Sequence, residues 1–275
     1  MLFAERYWNV SAQIVVLQFT TVLFVRSVAN HMSPMSKGER VRWKIHRFDR
    51  TESTNLLAIR GNPGDVFVAA EQTAGRGRLD HKWHSCRGQN LLMSAVLDVS
   101  DIAPTEVATF PLLAGVAIIK TIKRLSQFRP DSLTLHLKWP NDVYLNSRKV
   151  CGILCERHGD KIVVGIGLNV RQLTFPEELK GKATSLALSG IDITVDEALD
   201  KGLSSLSEIY ESWRRSGFAA ICPEIDGIDF LKGREVSVFQ TDDDAAPFHG
   251  LCHGILSDGS LLVGDKHIYA GEVRW

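Results

Sequence analysis

Residues 72–89 constrain this chain more than any other stretch. They show almost no hydrophobic periodicity, carry Gly75-Arg76-Gly77-Arg78 near their start and Trp83 and Ser85 further on, and lie between two short apolar runs, residues 66–70 and 90–97. The apolar runs have the length and flanking signals of strands. An unpatterned segment this long inside a compact domain is usually a functional loop rather than a plain connection. The fold must therefore contain a sheet that carries and pins a cationic loop. Two guanidinium groups beside flexible, amide-rich backbone suit an anionic ligand held by Arg forks and backbone N–H groups. A solvated basic turn is the plain alternative for the same residues.

A second string, Lys138-Trp139-Pro140-Asn141-Asp142, is followed by Lys149 and Gly152. Activating a carboxylic acid with ATP needs cations for the phosphates and a carboxylate to help hold the metal. The two strings together supply both.

Around them the chain alternates strand and helix signals. Residues 42–48 read as a strand. Ser53 is a plausible N-cap for a short helix over residues 55–60, closed by Gly61. Residues 104–125 carry an apolar helical face, with Pro111 marking a break or a second start. Residues 133–139, 142–145, 149–157 and 161–170 read as strands, the last two flanking a His158-Gly159-Asp160 hairpin turn. Thr194 and Glu197 form a capping-box pair that opens a helix running to about residue 215, with Gly217 as its stop. Beyond it, residues 234–240, 250–256 and 260–263 are short strand candidates, and Asp258-Gly259 is a hairpin turn. A small barrel is the natural reading of that end. Asp242-Asp243-Asp244 reads as a solvated loop.

With 275 residues the chain can hold one large and one small domain. The expected boundaries are an N-terminal extension over 1–40, a catalytic domain over 41–225 and a small C-terminal domain over 226–275. The formal net charge of zero argues against a strong non-specific nucleic-acid binder, which needs surplus Lys and Arg. Five scattered cysteines without a CxxC pair argue against a disulfide framework and for a reducing cytoplasm. Cys151 and Cys155 read as small buried hydrophobes. His249, Cys252 and His253 lie close together, but without a second ligand pair at structural-zinc spacing they do not read as a zinc site. Residues 10–25 are apolar but interrupted by Ser11, Gln13, Gln18, Thr20 and Thr21, short of a bilayer span. Glu5 and Arg6 ahead of them do not make a signal peptide. With Met32 and Met35 ahead of the first strand, the segment reads as an upstream extension, disordered or translated from a misplaced start, with a targeting peptide as the alternative. No helix-turn-helix pattern is visible in it.

The two strings do not stand alone. Ser53-Thr54-Asn55, Ala70-Glu71-Gln72-Thr73-Ala74, Lys149-Val150-Cys151-Gly152-Ile153-Leu154-Cys155-Glu156, Val164-Gly165-Ile166-Gly167-Leu168-Asn169-Val170 and Ile268-Tyr269-Ala270-Gly271-Glu272-Val273 follow in an order and spacing that resemble the biotin protein ligases, bacterial type without a DNA-binding domain. The resemblance runs from about Trp43 onward. A GRGR string by itself is weak evidence, because Arg/Gly runs are common in nucleic-acid tails. GRGR followed by KWPND and a GILxE strand is specific.

The resemblance implies an α/β (α+β) fold, with a class II synthetase-like mixed sheet, flanking helices and a C-terminal SH3-like β-barrel. It implies a two-step activity: biotin and MgATP give biotinyl-5′-adenylate, and the acyl group passes to a lysine of a biotin carboxyl carrier protein. It implies biotin contacts from Ser53, Thr54, Asn55, Gln72, Arg76, Gly77, Arg78, Lys149 and Gly152. Contacts to ATP or the adenylate fall to Gly75, Arg76, Arg78, Trp83, Lys138, Asn141, Lys149 and Asn169. Catalysis falls to Lys149, Arg78 and Asp142, with Asp142 also the Mg2+ contact. Gly165 and Gly167 would permit close ligand approach. Trp139 suits adenine packing or the core. The protein would be a monomer or homodimer, in the cytoplasm, with no nucleic-acid or membrane partner.

A lipoate ligase shares this fold and chemistry but would carry an Arg-Arg-x-Ser-Gly-Gly-Gly type loop, which this chain lacks. A biotin-sensing transcriptional regulator is the non-enzymatic alternative. One departure from the family stands out: Leu79-Asp80-His81-Lys82 fills the stretch where a glycine and an arginine are usual, so Asp80 and His81 should loosen the grip on phosphate.

Overall fold

Strand β3 (Asn90–Asp98) is buried along its whole length. A strand buried on both faces has no solvent face, so it requires a sheet covered on both sides. The computed structural model describes residues 41–78, 81–126, 133–239 and 247–275, all within one unit of the chain, Pro34–Trp275. The expected N-terminal extension, Asp80 and the Asp242–Asp244 run lie outside the described residues.

The large sheet has seven strands: β1 (Lys44–Thr51), β2 (Asp65–Gln72), β3, β4 (Leu135–Lys138), β5 (Asp142–Leu145), β6 (Arg148–His158) and β7 (Lys161–Asn169), in the order β1-β2-β3-β7-β6-β5-β4. The β1–β2 pair is parallel and the others antiparallel. Side chains alternate between the two faces of a strand. Leu91, Met93, Ala95 and Leu97 of β3 join the main core with Val164, Ile166 and Leu168 of β7. Val96 and Val163 face the other way and pack on Ala58 of α1 (Thr54–Ala58).

On the core face lie α2 (Pro104–Val107) and α3 (Phe110–Leu125), split at Pro111 as the proline predicts. Residues 104–125 are long and apolar enough to span a bilayer, yet most of that stretch is buried in the protein, as befits a core helix. Helix α4 (Val195–Ser216) packs on α3. Its capping box is formed: Thr194 Oγ1 accepts from the Glu197 amide at 3.1 Å, and Glu197 Oε2 accepts from the Thr194 amide at 2.7 Å. Ser53 occupies the N-cap position of α1 but its side chain makes no capping bond; the expected capping role is corrected. The helix also ends two residues earlier than expected, at Ala58.

After α5 (Cys222–Asp226) comes a five-stranded antiparallel sheet: β8 (Glu235–Phe239), β9 (Phe248–Ile255), β10 (Leu261–Val263), β11 (Lys266–Ile268) and β12 (Glu272–Arg274). The last two strands are additions to the three read from sequence. Cys252 lies in the interior of this sheet, where burial pushes its thiol up to about 11, and His249 Nδ1 is 2.8 Å from Ser237 Oγ. The small sheet is stitched to the large one. Leu137 exchanges backbone hydrogen bonds with Ile228 and Phe230, and Trp139 Nε1 donates to the Gly259 carbonyl at 3.0 Å. Trp139 is therefore a core residue at this junction, 2% exposed.

Candidate active site

The face of the large sheet opposite α3 dips where small residues meet in register. Gly152 of β6 pairs with Gly167 of β7, and Leu154 with Gly165. On the other side Gly165 pairs with Ser94 and Gly167 with Leu92. The dip is a cavity of about 260 Å³, walled by α1, residues from 72–78 and 81–83, the β4–β5 turn and the end of the small sheet. A Cβ at Gly165 would stand 2.1 Å from Asn55 Oδ1, and one at Gly167 2.5 Å from the Trp83 ring. Gly152 likewise lies against Trp83, at 2.8 Å. The three glycines thus serve first to seat Asn55 and Trp83 on the sheet, where close approach by a ligand was the expectation.

Beneath α1 the polar groups are buried and tied together. Ser53, Thr54 and Asn55 are 4%, 3% and 4% exposed. Gln72 Oε1 accepts from the Thr54 amide at 2.7 Å and from its hydroxyl at 2.9 Å. Ser94 Oγ lies 2.7 Å from Thr54 Oγ1 and 2.6 Å from Asn55 Oδ1. Asn55 Nδ2 donates to Glu156 Oε2 at 2.7 Å.

The other end is cationic. Arg76, Arg78, Lys82, Lys138 and Lys149 face the cavity against two carboxylates, Asp142 and Glu272. Lys149 Nζ is 2.7 Å from Asp142 Oδ1, an oxygen sealed from solvent; the ammonium offsets a carboxylate charge that burial would penalise. Lys149 also lies 5.7 Å from the Trp83 ring centroid. Lys138 is 8% exposed and sits 4.9 Å from the Trp275 ring. Burial lowers its pKa, an effect opposed by Asp142 and deepened by Lys149. Burial also lowers the Arg78 guanidinium's pKa, against the pull of Asp142 and Glu272. Asn141 Nδ2 donates to the Ile153 carbonyl and holds the β4–β5 turn onto β6.

The two arginines do not point at one spot, as an extended loop would have it. An isolated bridge between Arg76 and Lys82 folds the loop back on itself. Arg76 Nη2 then reaches Glu156 Oε1 of β6 at 3.6 Å, and Arg78 Nη1 donates to the Gly271 carbonyl of the small sheet at 3.3 Å.

Of the residues read from sequence, Ser53, Thr54, Asn55, Gln72, Arg76, Gly77, Arg78, Trp83, Lys138, Asn141, Asp142, Lys149 and Gly152 all line the cavity. Gly75 and Asn169 do not. Gly75 backs the loop, where a Cβ would stand 3.0 Å from the Trp83 carbonyl. Asn169 is 3% exposed and donates to the Thr184 carbonyl at 3.0 Å. Sequence reasoning missed Ser94, hidden in a continuous apolar run, and Glu272, on a strand too short to register. The period-two spacing of Gly152, Leu154 and Glu156 could have pointed to the last of these as a residue of the site face.

The biotin/lipoate A/B protein ligase family model matches residues 38–172. The chain is 37% identical to the biotin--[acetyl-CoA-carboxylase] ligase of Paracoccus denitrificans, over 82% of this chain and 97% of that protein. This chain belongs to the biotin protein ligase family. Against the bifunctional ligase/repressor BirA of Bacillus spizizenii the identity is 32%, over 77% of this chain but 66% of that protein, so the chain spans just under two thirds of that relative. A structure of the Aquifex aeolicus biotin protein ligase in complex with biotin and ATP superposes with a TM-score of 0.72 at 30% identity, over 84% of this chain and 98% of that one. The family's mixed sheet with flanking helices and a C-terminal antiparallel sheet is the architecture described above.

Proposed function

We propose that this chain activates biotin as biotinyl-5′-adenylate with MgATP and transfers the acyl group to a lysine of a biotin carboxyl carrier protein. The observation that carries the reading is a single cavity with two unlike ends: a buried, hydrogen-bonded end under α1 and a cationic end beside the Lys149–Asp142 pair. A ligand with a neutral, hydrogen-bonding head and an anionic tail fits both. Thr54, Asn55 and Gln72 meet the ureido group, with Ser53 beside them, and the sheet glycines and Trp83 flank the apolar rings.

Lys149 draws the valerate carboxylate toward the α-phosphate. A carboxylate oxygen forms the new bond to phosphorus while the bond to pyrophosphate breaks, and Lys149, Arg76, Arg78 and Lys138 stabilise the charge that moves onto the leaving group. In the second half-reaction the acceptor amine attacks the acyl carbon and AMP leaves. Asp142 lies where it can orient that amine. Two carboxylates, one of them already paired, do not make an all-protein magnesium cage, and no group of three His, Cys, Asp or Glu side chains gathers among the described residues. They do suit a Mg2+ that arrives on the ATP phosphates and takes one or two protein oxygens. Residues 41–225 act as the catalytic domain and 226–275 as the SH3-like domain in this reading. Asn169 and Gly75 support the site from behind.

Incubation with MgATP, biotin and a carrier domain should give a carrier heavier by one biotinyl group in an intact-mass spectrum. Turnover with lipoate and none with biotin would transfer the reading to a lipoate ligase.

A further inference from the structure

Glu156 lies outside the cavity and no step above uses it. It stands on the site face of β6, in line with Gly152 and Leu154 by the strand's period of two. Its two oxygens go to the two unlike ends of the site. Oε2 accepts from Asn55 Nδ2 at 2.7 Å, and Oε1 meets Arg76 Nη2 at 3.6 Å.

On the first side the carboxylate sets an orientation. An ionised carboxylate only accepts hydrogen bonds, so with the Leu154 carbonyl, which accepts from the same NH2 at 3.3 Å, Glu156 turns the Asn55 NH2 toward β6 and its carbonyl toward Ser94 Oγ, 2.6 Å away. The Asn55 amide is thus held at both ends, directly above Gly165. On the second side the carboxylate anchors the start of the cationic loop. Arg76 opens the segment whose backbone doubles back through the Arg76–Lys82 bridge, and its guanidinium finds an anion on the sheet rather than in solvent.

We propose that Glu156 is a positioning residue that couples the two ends of the site: it fixes the Asn55 amide and tethers the loop through Arg76. The assignment of the two ends to biotin and to ATP rests on the function proposed above.

Two substitutions separate the two contacts. Glu156→Gln keeps an oxygen that can accept from Asn55 but loses the charge that holds Arg76. Glu156→Ala loses both contacts and leaves the Asn55 NH2 without this acceptor. The tether is read on ligand-free protein by limited trypsin digestion, through the rate of cleavage after Arg76 and Arg78. Glu156→Gln should raise that rate and the KM for ATP by about two- to five-fold, the scale of a partly exposed ion pair, with the KM for biotin unchanged. Glu156→Ala should in addition raise the KM for biotin about three- to ten-fold, because the buried Asn55 NH2 loses its shorter, charge-assisted bond and keeps only the one to the Leu154 carbonyl. Melting curves of both variants establish that the fold persists, and the near-isosteric Gln variant decides alone if Ala unfolds.

The proposal is overturned if Gln changes neither loop cleavage nor the KM for ATP, or if Gln raises the KM for biotin as much as Ala does. A wild-type protein that makes no biotinyl adenylate would refute the function instead; the cleavage comparison would still decide the tether.

Discussion

The two ends of the cavity are built in opposite ways. Under α1 the polar groups are 3–4% exposed and bonded to one another through Gln72 and Ser94. At the loop end the side chain of Arg76 is 43% exposed, that of Lys149 34%, and each has one ion-pair partner named above. The first arrangement is pre-formed: a ligand's donors and acceptors meet groups that already have fixed directions, so little ordering entropy remains to be lost. The second is a set of charges on long side chains, suited to holding phosphates whose charge moves during the reaction. Under the function proposed above, one end would select the acid and the other activate it.

That contrast breaks most visibly at Lys149. Lys149→Ala should cut adenylate formation by on the order of 10²-fold or more, the scale of losing one electrostatic contact to developing charge. Biotin binding measured by calorimetry without ATP should fall far less. An equal loss in both would mean that Lys149 belongs to the selecting end.

Thr54→Val tests the other side. It keeps the shape but removes the hydroxyl that bonds Gln72 and Ser94. Gln72 Oε1 keeps the Thr54 amide and Ser94 Oγ keeps Asn55 Oδ1, so the loss is the net worth of a hydrogen bond, about 1 kcal/mol, and biotin affinity should drop about five-fold while the KM for ATP holds. A parallel rise in both Michaelis constants would show that the two ends do not act separately.

Arg78→Gly sharpens the comparison within the loop end. Arg78 reaches the small sheet through Gly271, whereas Arg76 stays on the large one. Losing Arg78 should speed adenylate escape several-fold, about the worth of a charge-assisted hydrogen bond, with biotin affinity little changed. Bystander lysines should then become labelled. Adenylate made at the normal rate with no rise in bystander labelling would remove Arg78 from a retention role.

The smallest effect concerns stability. Lys138 is buried beside Trp275, and its pKa is lowered chiefly by desolvation. A lysine whose folded pKa lies below its unfolded value of about 10.4 destabilises the fold in full below the folded value, and that penalty fades as pH rises through the window between the two. Lys138→Met should therefore raise the melting temperature at neutral pH by about 2 °C, and the gain should shrink in alkaline buffer. Calorimetry at two pH values checks the sign. A variant that melts lower at neutral pH would mean that the ammonium's contact with Trp275 outweighs its burial.

Much of this was legible before any coordinates. The capping box at Thr194, the helix break at Pro111 and the 158–160 turn rest on local chemistry that a sequence displays directly. The gathering of Arg76, Arg78, Asp142 and Lys149 was implied by the resemblance of their motifs to the family, not by local chemistry: two lie in a loop and two on the neighbouring strands β5 and β6. What stayed hidden depends on register and on short elements. Ser94 looks like any residue in an apolar strand until pairing sets it beside Gly165. Strands β11 and β12 have three residues each, too few to show a period, yet β12 brings Glu272 and Val273 to the cavity. Asn169 erred the other way. It shares a strand with Gly165 and Gly167, but each two residues move the chain about 6.6 Å along the sheet, enough to place it under Thr184. The spread of the two arginines was hidden for a similar reason, since the Arg76–Lys82 bridge depends on how the loop folds back.

Among the described residues, Arg76 moors the segment over the cavity to one sheet and Arg78 moors it to the other. A mixed anhydride of biotin and AMP hydrolyses and acylates stray amines once it is free, so under the function proposed above the protein would also be a container, its leak set by the weaker mooring. Both moorings are single contacts of modest strength. Warming or salt would therefore open the container well before either sheet unfolds, and the fidelity of labelling would fail at a lower temperature than the fold does.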